Sequence, residues 1–238
     1  VTRIKTTVYP LIFRFLEANR ILGLMRMLRT VPLWLVRRDY FVFVRDLRLP
    51  LPDIPAHPAV RWSILTEAEM PAVHTIHPLM SEAEIRRRWN EGQECLLFWL
   101  GQSLVHLRWD TTKPTYLPYL GKTVQPLNGD LLVTEVFTHP AYRRSGIHSV
   151  SSVVGLHRSR ERGLTRSVAF VASWNAPSMR VTGEKSAYSV VGRVGYWKIG
   201  GLRYYFVSDN VSLGQGESIY IHDGKPPQQS LSRAPLTP

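Results

Sequence analysis

A single cysteine, Cys95, stands in 238 residues. One thiol excludes an intramolecular disulfide framework and a multi-thiolate metal cluster, and it is the cysteine usage of a reducing compartment. Its place in the apolar run Cys95 to Leu100 reads as a buried strand position rather than a reactive one. Long hydrophobic runs are also missing. Arg14, Arg20, Arg26 and Arg29 interrupt the N-terminal apolar segment, and no stretch approaches the roughly 18 to 20 apolar residues that cross a bilayer. The same interruptions break the continuous apolar region of a secretory signal, so a cytoplasmic protein is expected. Acidic residues are scarce, 18 against 30 Lys and Arg, for a formal charge of +12. That balance favours anionic partners, among them phosphorylated cofactors, acidic lipid headgroups and nucleic acid, without choosing between them. Zinc-ligand spacing, an RNA-binding aromatic motif and a helix-turn-helix signal are absent from the sequence, which makes nucleic acid the weakest of the three.

Hydrophobic residues make up 44% of the chain, ample for a sizeable core. The positive charge is uneven: residues 1–50 hold ten Arg or Lys against Glu17, Asp39 and Asp46, a net of +7 (10 − 3). Residues 9–36 have the pattern of one or two short helices broken near Pro32, and Tyr40 to Val44 that of a strand. Pro50, Pro52, Pro55 and Pro58 mark a linker, so residues 1–58 are set apart as a basic N-terminal extension. From Val60 the pattern alternates. A strand, Val60 to Leu65, precedes capping boxes at Thr66 with Glu69 and at Ser81 with Glu84, each opening a helix. The second carries Arg86, Arg87 and Arg88, read as a solvated face. A hairpin follows, Cys95–Leu100 and Ser103–Trp109 around Gly101-Gln102. Residues 110–130 have the composition of a long irregular loop of the kind that helps form sites.

Leu131 to Thr138 is the next strand, Ser149 to Arg162 a helix stopped by Gly163, and Ser167 to Ala172 another strand. His157 on that helix reads as a packed or edge residue. Asn175 before Pro177 is a helix start, and Val190–Ile199 and Leu202–Val207 are two strands around Gly200-Gly201. Residues 208–238, with four prolines from Lys225 onward, read as a flexible tail.

The junction Glu135 to His148, EVFTHPAYRRSGIH, holds the chemistry. A strand passes through Arg143, Arg144, Ser145 and Gly146 into a helix, whose first N–H groups lack intrahelical partners and carry partial positive charge, an arrangement that binds phosphate. At these residues the chain resembles the GNAT superfamily of acyl-CoA-dependent N-acyltransferases. Arg143 and Gly146 fill positions of the family's phosphate-binding signature, Arg or Gln, two residues, Gly, one residue, Gly or Ala, and His148 departs from its last position. Val136 to Pro140 match the strand end leading into the signature. Asn175, Ala176, Pro177, Ser178 and Arg180, then Glu184, Lys185 and Tyr188, resemble the segment after the fifth strand, with one extra residue and with Thr182 or Gly183 where many members carry a tyrosine.

The resemblance covers roughly residues 59–207 and implies a mixed α/β fold, a central mixed and mostly antiparallel sheet flanked by helices. It implies N-acyltransferase activity with acetyl-CoA as acyl donor and a primary amine as acceptor, on a small molecule or a macromolecule. Backbone groups of Val136, Phe137 and Thr138 would hold the pantetheine and the thioester oxygen. The amides of Arg143, Arg144, Ser145, Gly146, Ile147 and His148 would clasp the pyrophosphate, with Asn175 nearby. Glu135 is the candidate general base, and His148 would either crowd the pyrophosphate or, if protonated, add positive charge, its main-chain amide serving in either case. Solvent would supply the proton to the leaving thiolate, since Tyr188 aligns with a core aromatic. The competing expectation is a catalytically degenerate binding protein of the same fold, held on an anionic membrane by the basic extension.

Overall fold

The computed structural model describes residues 35–57, 60–199, 201–214 and 218–222. The expected helices of residues 9–36 lie almost wholly outside these residues, as does Lys225 to Pro238. Twelve strands and four helices are present among the described residues. In chain order they are β1 (Leu35–Asp46), β2 (Val60–Ile64), α1 (Met70–Ile76), α2 (Glu82–Asn90), β3 (Glu94–Leu100), β4 (Ser103–Thr111), β5 (Thr115–Leu117), β6 (Lys122–Gln125) and β7 (Asp130–Thr138). There follow α3 (Ile147–Glu161), β8 (Arg166–Ala172), α4 (Ala176–Arg180), β9 (Ser189–Ile199), β10 (Leu202–Asp209), β11 (Val211–Leu213) and β12 (Ser218–Ile221). The strands form an eight-stranded sheet, β10-β9-β1-β8-β7-β4-β3-β2, and a four-stranded one, β11-β12-β6-β5. Described residues of 40–194 and 207–222 belong to one compact unit, which contains the site. A smaller unit takes 35–39 and 195–206.

In the larger unit the sheet is covered on both faces because β3 is apolar on both, and β4 on the face toward α1 and α2. Cys95, Leu97, Leu107 and Trp109 pack under α1 and α2 with Val73, Ile76 and Ile85. Leu96 and Phe98 point the other way, onto Val150 and Val154 of α3. Strand side chains alternate between faces, so a run of uninterrupted apolar residues is what a strand between two helical layers requires. Each fully buried Leu, Phe or Ile contributes on the order of 1.5–3 kcal/mol. Cys95 is fully buried, and burial pushes its thiol pKa well up.

The expected caps are present. The Glu69 carboxylate accepts the Thr66 N–H at 2.9 Å in the 3₁₀ turn that leads into α1. Ser81 Oγ accepts the Glu84 N–H at 3.2 Å at the start of α2. Apart from the added β5 and β6, the order of elements from β2 to β10 is the expected one, and so is the mixed, mostly antiparallel sheet with flanking helices.

Three sequence expectations change. Residues 110–130 are not irregular throughout: Leu117 and Val124 are buried on β5 and β6, which pair antiparallel about Gly121 at φ +67°. A left-handed glycine closes the turn that composition alone disguised as loop. The tail from Ser208 contributes the end of β10, then β11 and β12, with β12 parallel to β6. Finally, the strand expected inside the N-terminal extension runs in the main sheet, with Tyr40–Asp46 antiparallel to Arg166–Ala172 of β8.

Two features of β7 make the site. Its register against β4 steps from Trp109↔Glu135 to Asp110↔Val133, leaving Thr134 as the extra residue of a β-bulge. Thr134 Oγ1 donates to the Trp109 carbonyl at 3.2 Å. On its other side β7 pairs in parallel with β8 only from Asp130↔Arg166 to Val133↔Ala169. Beyond the bulge the two strands part, and a wedge opens between Glu135–Thr138 and Phe170–Ala172.

Candidate active site

A cleft of about 650 Å³ occupies this wedge. One half is bounded by β8, the first turns of α3 and the residues around α4, including His148, Ser151, Ser152, Asn175 and Ser178. The other is bounded by α1, α2 and the β5 segment, including His77, Glu84, Arg88, Tyr116 and Tyr119. Glu135 and Val136 line the cleft where the halves meet.

The loop that enters α3 is shaped by its backbone. Pro140–Tyr142 form a 3₁₀ turn, Ser145 Oγ donates to the Tyr142 carbonyl at 2.7 Å, and Arg144 and Gly146 take φ of +67° and +88°. Gly146 is the N-cap of α3 and accepts the Ser149 N–H at 2.9 Å. A Cβ built on Gly146 meets nothing within 4 Å, so glycine is needed here for conformation and not for lack of room. Among the described residues none accepts a hydrogen bond from the amides of 144–148. Arg143 and Arg144 are exposed, with Arg143 Nε donating to the Thr138 carbonyl at 3.4 Å. Asn175 caps α4, its Oδ1 accepting the Ser178 N–H at 3.3 Å.

His148 narrows the alternatives left open for it. Its ring turns into the cleft beside His106, with centroids 5.9 Å apart, instead of toward the loop. Burial, helped by the Arg108 charge, lowers its pKa to about 4. It is therefore neutral near pH 7 and adds no positive charge to a phosphate site.

Glu135, on the strand just past the bulge, is held from two helices. Its Oε1 lies 2.9 Å from Nε2 of His77 and its Oε2 2.8 Å from Nη1 of Arg88. The second contact is an ion pair without hydrogen-bond alignment. His77 follows the last turn of α1 and stacks on Phe137, centroids 4.1 Å apart. Arg88 comes from α2, where its Nε also donates to Glu84 at 2.8 Å and its guanidinium sits 5.7 Å from the Trp109 ring. Arg87 and Arg88 hold the Glu84 pKa down to about 2. Arg86 and Arg87 are solvated and ion-paired as expected, whereas Arg88, 13% exposed in its side chain, faces inward to the site.

Beneath the wedge, Arg108 of β4 is 2% exposed and donates from Nε to both oxygens of buried Asp110 at 2.8 Å. Its Nη1 reaches the Ser152 carbonyl at 3.3 Å. Burial works against the charge, and Asp110 and Tyr188 more than offset it, so the Arg108 pKa is raised. Tyr188 is buried and shares a hydrogen bond of 2.8 Å with Ser167 Oγ, in keeping with a core role. The guanidinium needs space on α3, and a Cβ on Gly155 would lie 2.5 Å from its Cζ and Nη1. His157 is an edge residue with Nε2 2.9 Å from the Pro52 carbonyl.

Of the residues expected at the site, Glu135, Val136, His148 and Asn175 line the cleft, while Phe137 and Thr138 lie further along β7 and Arg143 to Gly146 form the loop before α3. Sequence reading passed over His77, Arg108, Tyr116 and Tyr119, and read Arg88 as part of a solvated face. One signal was available: Arg108 and Asp110, two apart and so on one face, are charged residues within the strand SLVHLRWDT. Buried charge of that kind demands a partner or a role.

No family model matches the sequence, and no curated protein is significantly similar to it. Solved structures are similar in fold. One is a functionally unknown conserved protein from Staphylococcus epidermidis, 8% identical over 72% of this chain and 66% of that one, with a TM-score of 0.49. Another is a GCN5-related N-acetyltransferase from Sphaerobacter thermophilus, 15% identical over 76% of this chain and 58% of that one, TM-score 0.49. A third is yncA from Salmonella typhimurium, solved with its cofactor acetyl-CoA, 17% identical over 52% and 76%, TM-score 0.38. This chain spans under two thirds of the length of the first two. At these identities the likeness is one of fold.

Proposed function

We propose that this chain is an acyl-CoA-dependent N-acyltransferase, moving an acetyl group directly from CoA to a primary amine while both are bound. The observation that carries the proposal is the wedge: β7 and β8 part after Val133↔Ala169, a left-handed loop leads into α3, whose His148 lines the cleft, and a paired carboxylate stands at the bulge. Parted strands leave main-chain groups of Val136 to Thr138 without a β8 partner, ready for the pantetheine amides and the thioester oxygen. The amides of 144–148 and the N-terminal dipole of the fifteen-residue α3 suit a pyrophosphate. When bound, acetyl-CoA supplies an acyl carbon activated by its thioester.

The chain's own residues then position and deprotonate. Glu135 accepts the proton of the acceptor ammonium, directly or through water, and is oriented for it by His77 and Arg88. Solvent protonates the leaving thiolate, since the phenol of Tyr188 is engaged with Ser167. Isothermal titration of the full chain with acetyl-CoA tests the cofactor half: saturable binding is expected, and none at millimolar cofactor overturns the proposal. Free-thiol release with a panel of amines tests the transfer.

A further inference from the structure

The smaller unit holds the end of a hairpin whose large apolar side chains are left to water. β9 and β10 are neighbours in the sheet and two residues apart in the chain, a span that only an antiparallel turn closes. Side chains alternate along a strand, so Trp197 and Ile199 point one way from β9, and Leu202, Tyr204 and Phe206 one way from β10. The Arg37 guanidinium lies 5.2 Å from the Trp197 ring centroid and 5.2 Å from that of Phe206, which puts the two series on one face. The other face holds Tyr196 and Tyr205, centroids 5.6 Å apart, with the Arg203 guanidinium 4.7 Å from Tyr196. On the first face Trp197 is 37% exposed, Ile199 51%, Leu202 65% and Tyr204 54%. The order from the turn backward is therefore aliphatic first, then aromatic.

The same unit is cationic. Its described residues carry Arg37, Arg38, Lys198 and Arg203, all exposed, against Asp39, a net of +3 (4 − 1). Charge of this sign selects an anionic partner, and the pattern decides which one. A single-stranded nucleic acid stacks its bases on open ring faces, but Arg37 already lies over Trp197 and Phe206, and Arg203 over Tyr196. Ile199 and Leu202 offer a base no ring at all. A second copy, or any folded protein, takes roughly 20 residues from each side of a stable interface, and four exposed side chains fall far short of that. A lipid surface takes an aliphatic tip below the headgroups, Trp and Tyr at headgroup level, and Lys and Arg against the lipid phosphates. That is the order found here.

We propose that the β9–β10 hairpin is an interfacial anchor that seats this chain on an anionic lipid surface. Ile199 and Leu202 enter the acyl boundary, Trp197 and Tyr204 lie among the headgroups, and Arg37, Arg38, Lys198 and Arg203 meet the phosphates from both faces of the hairpin. The hairpin lies on the bilayer without crossing it. The formal charge of +12 draws the chain to such a surface, and the apolar tip holds it there.

Vesicle co-sedimentation of the full chain tests this. Phosphatidylcholine vesicles with about 30% phosphatidylserine, in about 0.1 M salt, should bind it saturably, and phosphatidylcholine alone about tenfold less. Charge by itself would give that much, so the deciding variant leaves every charge in place. Ile199→Ser combined with Leu202→Ser alters two exposed side chains and should weaken binding about tenfold. A second reading does not depend on that variant: lipids brominated on their acyl chains should quench the parent's tryptophan emission, and Trp197→Phe should lose most of the quenching. A parent that ignores phosphatidylserine vesicles, a double serine variant that binds as well as the parent, or quenching unchanged in Trp197→Phe overturns the anchor. So does a parent dimer in sedimentation velocity that the double variant makes monomeric, which assigns the patch to a second copy. Retention of a single-stranded oligonucleotide that the double variant loses assigns it to nucleic acid and overturns the anchor equally.

Discussion

The two halves of the cleft are built by different means. In the half proposed for the cofactor, the loop into α3 offers main-chain amides set by two left-handed residues, Arg144 and Gly146, while its arginine side chains stand in solvent. The half proposed for the acceptor offers side chains: Glu135 is fixed by His77 from the end of α1 and Arg88 from α2. A backbone-built site tolerates side-chain change and is sensitive to φ. A side-chain-built site depends on every member of its network, because removing one leaves another charged and alone.

The largest expected effect falls on the side-chain half. Glu135→Gln should lower turnover roughly a hundredfold or more, the scale of a lost general base, with the calorimetric affinity for acetyl-CoA unchanged. Full activity in that variant would remove Glu135 from the mechanism. Next is the floor beneath the wedge. Arg108→Met leaves Asp110 buried without its partner, and urea unfolding should show a loss of about 3–5 kcal/mol. A loss below about 1 kcal/mol would mean that Asp110 takes up a proton instead.

Gly146→Ala probes the backbone half. A Cβ finds open space there, so only the left-handed φ is penalised, by about 1–2 kcal/mol. Acetyl-CoA binding should weaken about tenfold through loop rearrangement. Arg143→Ala should do less, about two- to fivefold at low salt, with the difference vanishing at high salt as exposed charges are screened. A larger effect for Arg143 than for Gly146 would reverse the contrast between the halves.

The smallest effect is on pH dependence. Burial, then the Arg108 charge, takes the His148 pKa from its ordinary value of 6.5 to about 4, and burial likewise depresses His106. Between about pH 6.5 and 4 the unfolded chain therefore binds more protons than the folded one. Stability held in full above pH 6.5 is lost as the pH falls toward 4. Thermal melts of His148→Asn should show a shallower acid slope over this window than the parent. An identical slope would place the titrating group elsewhere.

Much of the fold was legible because the relevant signals are local. Capping residues at Thr66 and Ser81, the doubly apolar run at Cys95 to Leu100 and the glycine before α3 each announce a boundary within a few residues. The loop before α3 was legible for the same reason, its geometry being a property of the four consecutive residues Arg143 to Gly146. The second sheet was hidden because β5, β6, β11 and β12 are three or four residues long, too short for alternation to rise above composition. The Glu135 network was hidden because its members are distant in sequence, with His77 58 residues from its partner. Three exposed-looking arginines in a row on α2 gave no sign that the third turns inward.

Gly155 and Arg108 share one volume: the space a methyl group at 155 would claim is filled by a guanidinium held from the other side by Asp110. In inheritance that makes the three positions a unit. A lineage that gains a side chain at 155 must give up the arginine, and one that gives up the arginine must also neutralise the aspartate. Substitutions at these positions should therefore arrive together, and sequences intermediate between the two solutions should be rare.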